Sequence, residues 1–134
     1  MKITNSTREI MEYVFVYGSL RKDFWNHKHY LKNSKFIGKG KTKEKYAMYA
    51  DIIPYVVENE KISHIVGEVY EVDKKTLERI DYLEGHPNYY FRKKVPIVLE
   101  TGKEIKAWMY FYPEPYGVLV KSGDYKDYMG DRHV

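Results

Sequence analysis

Glu84 is the side chain most open to a chemical reading. It closes a run with helical spacing and stands directly before Gly85-His86-Pro87, where a glycine and a proline stop a helix within a turn. A carboxylate in the last helical turn faces the negative end of the helix dipole, which costs a few tenths to about 1 kcal/mol and is usually left to Lys or Arg. Beneath a lid of Pro87, Tyr89 and Tyr90, dipole and desolvation together would raise its pKa toward the range a proton shuttle needs near neutrality. A solvated acid paired with Arg92, Lys93 or Lys94 fits the same spacing equally well. Asp81 lies one turn back and could join Glu84 in a carboxylate pair for a metal or for acid-base work. An exposed helix face is the expected place for Asp81.

A second candidate precedes it. Val14-Phe15-Val16-Tyr17 is an apolar run that breaks at Gly18-Ser19-Leu20-Arg21, the pattern of a buried strand entering a tight loop. A glycine there permits unusual backbone dihedrals and close approach of a ligand, so the amides of Ser19 and Leu20 become a candidate anion cradle. An ordinary turn has the same local sequence.

Other chemistries are poorly supplied. The chain has no cysteine, which removes disulfides, thiolate nucleophiles and cysteine-rich zinc sites and fits a reducing interior, so the cytoplasm is the expected compartment. Its five histidines show no ligand spacing: His27 and His29 diverge on a helix, and His64, His86 and His133 have no partner, so neither zinc nor another metal is expected. Tyr17 and Arg21 flank the Gly18-Ser19 pair, so the Gly-x-Ser-x-Gly elbow of a serine hydrolase is missing. A net charge of +4 and a pI near 9.0 admit an acidic partner, but acids are interspersed throughout and a nucleic-acid role gains little. No apolar run approaches a membrane span or a signal-peptide core, so a soluble, unexported protein is expected.

The elements that must position these residues form one α+β domain over residues 13–134, after an expected mobile leader at 1–12. Strands are expected at Tyr13 to Tyr17, Lys35 to Gly38, Lys45 to Tyr49, Pro54 to Val57, His64 to Val72, Phe91 to Leu99 and Glu104 to Tyr112. The basic stretch Lys39 to Lys45 reads as a connection between two of them. Asn26 is placed to cap a short helix through Lys32, and Asp73 to cap a longer one with Leu77, Ile80 and Leu83 on its apolar face. Beyond Pro113-Glu114-Pro115 the chain reads as irregular. Six or seven strands with two helices predict a small mixed β-barrel with flanking helices. The 15 tyrosines suit half-buried strands or a polar pocket, since each carries an apolar ring and a hydroxyl.

In ordered succession the chain carries Tyr17-Gly18-Ser19-Leu20-Arg21, Asn26-His27, Phe36-Ile37-Gly38 with Thr42, and Tyr46-Ala47-Met48-Tyr49. Gly67-Glu68-Val69-Tyr70, Leu83-Glu84-Gly85-His86-Pro87, Tyr89-Tyr90, Arg92, Ala107-Trp108-Met109-Tyr110 and Ser122-Gly123-Asp124-Tyr125 follow. This set resembles the γ-glutamyl cyclotransferase-like family, in particular its short AIG2-like γ-glutamylamine cyclotransferase branch, from about Tyr13 to Tyr125. The resemblance implies a β-barrel with a cavity at the end of the first strand and conversion of a γ-glutamyl amide into 5-oxoproline plus free amine. It implies Glu84 as the catalytic acid/base and Gly18, Ser19 and Leu20 as the holder of the substrate carboxylate, with Tyr17 lining the same pocket and Tyr89, Tyr110 and Tyr125 as further walls. The partner would be a small-molecule γ-glutamyl substrate, with no nucleic acid, membrane or cofactor, and the oligomeric state is left open. The chain departs from the family at Asp23-Phe24-Trp25, in place of a common glycine, which bears on the pocket mouth. Family fold without turnover leaves a competing reading, a binding module for a small carboxylate or amino acid.

Overall fold

In β1, Met11–Val16, alternate side chains serve two cores. Phe15, with Tyr17 just beyond, joins one buried cluster together with Val69, Ile97, Met109 and Phe111, while Val14 and Val16 join another with Leu77 and Ile80. The period of two along an extended chain makes this division automatic. In the computed structural model, which describes residues 11–132, this strand is the shared wall between a barrel interior and a helix. The expected leader lies mostly outside the described residues; Met11 and Glu12 are strand, paired with Asp73 and Val72.

The remaining elements are α1 (His27–Tyr30), β2 (Lys35–Asp51), β3 (Ile53–Val57), β4 (Ser63–Asp73), α2 (Lys74–Glu84), β5 (Phe91–Leu99), β6 (Glu104–Phe111), β7 (Val118–Val120) and α3 (Tyr125–Arg132). β1 pairs antiparallel with β4 and parallel with β6, β6 with β5, and β4 with β2. Pairing of Gly40 to Thr42 on β2 with Leu99 to Ile97 on β5 closes this mixed barrel. Gly40 is needed at the closure: a Cβ there would meet the Val98 carbonyl oxygen at 2.7 Å. The fold is thus the expected α+β barrel, with three helices among the described residues rather than two.

β2 corrects the strand assignment. Lys35 to Tyr49 was expected as two strands joined by a basic connection; it is one strand of 17 residues. Register shifts between Phe36 and Gly38 and between Lys41 and Lys45 bend it. Its first part closes the barrel, and its last part pairs with β3 and β7 in a second sheet. β7 and α3 occupy the region expected to be irregular.

α2 forms as its sequence predicts. The Asp73 carboxylate accepts the Thr76 amide at 2.7 Å, satisfying one of the free donors of the first turn. Leu77 and Ile80 are buried against the barrel wall. Asn26 does not cap α1 by its side chain. Among the described residues no helix is long and apolar enough to cross a membrane.

Candidate active site

β1 runs out at Val16 beneath a cavity of about 260 Å³ whose walls come from the following loop, from the start of β3, from the end of α2 and from β6. Tyr17 is buried, and its hydroxyl donates to the Tyr110 carbonyl at 2.7 Å. Gly18 does not take a positive φ, so the expected unusual dihedral is not the reason for a glycine. The reason is proximity: a Cβ at this position would lie 2.7 Å from Pro54 Cγ. The loop then folds back on the protein through its carbonyls. Gly18 O accepts Arg21 N at 3.0 Å, Ser19 O accepts Asn26 N at 3.0 Å, and Leu20 O lies 3.0 Å from His27 Nδ1. A trans peptide points its N–H opposite to its carbonyl. The amides of Ser19 and Leu20 are therefore turned the other way, and neither has an acceptor among the described residues. Asn26 Nδ2 donates to Ser19 Oγ at 2.7 Å, which ties the hydroxyl to the loop's far end.

Glu84 enters from the opposite wall. α2 ends at Gly85, whose φ of 70° is left-handed and costs glycine nothing. The His86 amide donates to Asp81 O at 3.0 Å and the Tyr90 amide to Glu84 O at 3.1 Å. These bonds anchor the helix terminus. The competing reading of Glu84 as an ion-paired surface acid fails on its three expected partners. Arg92 binds Asp81 through Nε at 2.8 Å and Nη2 at 3.0 Å. Lys93 pairs with Glu58 at 2.7 Å and Lys94 with Glu12 at 3.8 Å. Among the described residues no donor holds the Glu84 carboxylate. Burial, helped by the Asp81 charge, pushes its pKa up to about 7.

Asp81 is the opposite case and corrects the expectation of an exposed helix face. Besides the Arg92 fork it accepts the Tyr110 hydroxyl at 2.5 Å. Burial alone would raise its pKa, but the Arg92 and Tyr110 hydrogen bonds and the Arg92 charge outweigh it and hold the carboxyl below its usual range. Arg92 is itself held over the Trp108 ring at 4.2 Å. The network fixes Tyr110 as a wall of the cavity.

The profile of gamma-glutamyl cyclotransferase, AIG2-like proteins matches residues 14–127. The chain belongs to that family. A protein of Methanocaldococcus jannaschii named "Putative gamma-glutamylcyclotransferase" is 82% identical over 120 residues, covering 90% of this chain and all of its own length (100%). A zebrafish gamma-glutamylaminecyclotransferase is 36% identical over 99 residues, 67% of this chain and 64% of its own. Among solved structures, a Pyrococcus horikoshii protein superposes with a TM-score of 0.71 at 34% identity, covering 91% of this chain and 96% of that one. The chain is a gamma-glutamylcyclotransferase-like enzyme by family.

Within this cyclotransferase-like framework the fold brings Tyr17, Gly18, Ser19, Leu20, Glu84, Tyr89 and Tyr110 onto one cavity. Tyr89 and Trp25 are half-exposed rings of its lining, at 45% and 47%. Tyr125 is not among them. Its ring is fully buried against Phe24 and Tyr128, and its hydroxyl donates to the Ile52 carbonyl. Sequence reasoning missed Pro54 as a wall, because its contact with Gly18 spans the fold. It also undervalued Tyr90, whose hydroxyl donates to Pro54 O at 2.8 Å. The adjacent aromatic pair Tyr89-Tyr90 was the available signal: one ring faces out and its neighbour faces in. Among the described residues no group of three or more His, Asp or Glu is placed to hold a metal.

Proposed function

We propose that this cavity converts a γ-glutamyl amide into 5-oxoproline and a free amine, with Glu84 as the proton shuttle. One observation carries the reading: an unpaired carboxylate with a pKa near 7 shares one small cavity with the unsatisfied amides of Ser19 and Leu20. The substrate brings its own nucleophile, the α-amine, so the protein needs no attacking Ser or Cys. It must fold the substrate and move protons. Main-chain amides suit the α-carboxylate, pinning one end while the γ-carbonyl swings toward the amine.

At neutral pH the α-amine is an ammonium. Glu84 takes one proton, the freed nitrogen attacks the γ-carbonyl carbon, and the bond from that carbon to the leaving nitrogen breaks as Glu84 returns the proton to that nitrogen. The second proton shed by the attacking nitrogen leaves with the released amine as its ammonium. A group with a pKa near the working pH is suited to both transfers, a contribution of about 10²- to 10⁴-fold in rate. The name of the zebrafish relative makes γ-glutamyl amines candidate substrates alongside γ-glutamyl amino acids.

The test is a panel of γ-glutamyl amines and γ-glutamyl dipeptides assayed for 5-oxoproline with the native chain and with Glu84→Gln. Turnover by the native chain, lost in the variant while ligand still binds, is the expected result. A native chain that binds a small carboxylate at the Gly18 loop but turns over nothing on the panel would be a binding module instead.

A further inference from the structure

Tyr125 and Ile52 stand outside the cavity, and each is unusual. Ile52 is the single residue between β2 and β3, whose ends pair as Asp51 with Ile53, and it has φ 72°. A β-branched side chain in the left-handed region is strained. At 72% exposure its side chain buries little to offset that strain. Both of its backbone polar groups are instead bound by α3. The Tyr125 hydroxyl donates to the Ile52 carbonyl, and the Ile52 amide donates to the Tyr128 hydroxyl at 3.2 Å.

The turn leads directly into the site. Pro54, two residues on, is the wall that meets Gly18 and accepts the Tyr90 hydroxyl. The circuit closes on the other side of the site loop. Arg21, buried, pairs with Asp124 at 2.8 Å, the residue before Tyr125, and Phe24 packs on the Tyr125 ring at 5.4 Å. A ring of contacts thus runs from the Gly18 loop through Arg21 and Asp124 to Tyr125, across Ile52 to Pro54, and back to Gly18.

We infer that Tyr125 is a positioning residue: its hydroxyl holds the Ile52 turn in the left-handed conformation that seats Pro54 against Gly18 and so sets the width of the cavity. This rests on the reading of that cavity as the cyclotransfer site. An isoleucine released from the bond prefers a negative φ, and a turn that swings to one carries Ile53 and Pro54 with it. Glycine at this position has no such preference.

The experiment compares the native chain with Tyr125→Phe, Ile52→Gly and the double variant. Tyr125→Phe keeps the buried ring and removes only the bond. It is expected to raise KM roughly fivefold with kcat within about twofold, and to speed exchange of the backbone amides of residues 52, 53 and 55–57. In the Ile52→Gly background the same substitution is expected to change KM and exchange by less than about twofold, because no strained conformer remains to be held. Native KM and native exchange in Tyr125→Phe, or an equal effect in both backgrounds, would overturn the inference. If the native chain makes no 5-oxoproline, the cyclotransfer reading falls by itself, and the exchange comparison still decides whether Tyr125 sets the Pro54 wall.

Discussion

Asp81 and Glu84 are the same functional group on successive turns of α2, yet their surroundings drive them apart. Asp81 faces β5 and β6, where Arg92 and Tyr110 supply donors from three atoms, and it stays ionised. Glu84 faces the cavity, where no donor among the described residues reaches its carboxylate, and its proton is held up to about pH 7. The protonation of a carboxylate is set by who occupies its lone pairs, and an acid the fold leaves unsatisfied is a candidate for proton transfer. The paired neighbour also contributes. Its negative charge is one cause of the raised Glu84 pKa, so structural and chemical acids work as a unit.

The sharpest way to break this comparison is Glu84→Gln, which keeps shape but removes the titrating proton. Turnover should fall about 10²- to 10⁴-fold with near-native affinity for L-glutamate, measured by steady-state assay and titration calorimetry. The same variant reports stability. A carboxyl whose folded pKa is raised above its unfolded value stabilises the fold only while protonated, so the native chain should lose stability as pH rises from about 4.5 to about 7. The loss is at most about 3 kcal/mol and less where solvent in the cavity screens the charge. Chemical denaturation across that range should show Glu84→Gln overtaking the native chain on the alkaline side. Asp81 carries the opposite sign: its stabilisation is present above the unfolded pKa and is lost as pH falls through its depressed folded value.

Arg92→Met tests the paired half. It leaves Asp81 with Tyr110 as its remaining donor and should cost about 2 kcal/mol in a denaturant melt at pH 7, a loss that shrinks in acid as Asp81 protonates. Asp81→Asn has the smallest expected effect. Removing the neighbouring charge should move the Glu84 limb of the pH–rate profile to lower pH, with the optimum rate reduced only a few-fold. No movement of that limb would mean that the two acids are not electrostatically linked.

Much of this was legible in advance, and the reasons are local. Asp73, the Leu77 and Ile80 spacing and Gly85 mark α2 because capping, periodicity and left-handed termination each act within a turn or two. Glu84 stood out because it violates the dipole preference of its own helix. Gly18 was expected as a site glycine and lines the candidate cavity, but a glycine is needed there for a different reason from the one the loop pattern offered, since Pro54 is brought to it by β3. The unity of β2 was not legible either. Its lysines from Lys39 to Lys45 look like a solvated connection, and only pairing with β4 and β5 makes them strand. Tyr125 was misplaced because nothing in its neighbourhood in sequence distinguishes a pocket wall from a residue that braces a distant turn.

By itself the sequence determined most of the barrel's strands, the ends of α2 and the two segments that meet at the candidate cavity, because these follow from backbone propensity and from the side-chain period. Only the tertiary structure decided which carboxylate is paired and which is free, and which residues press on Gly18. Desolvation and donor supply depend on what arrives from elsewhere in the chain: Arg92 from β5, Tyr110 from β6 and Pro54 from β3. No local pattern encodes those arrivals.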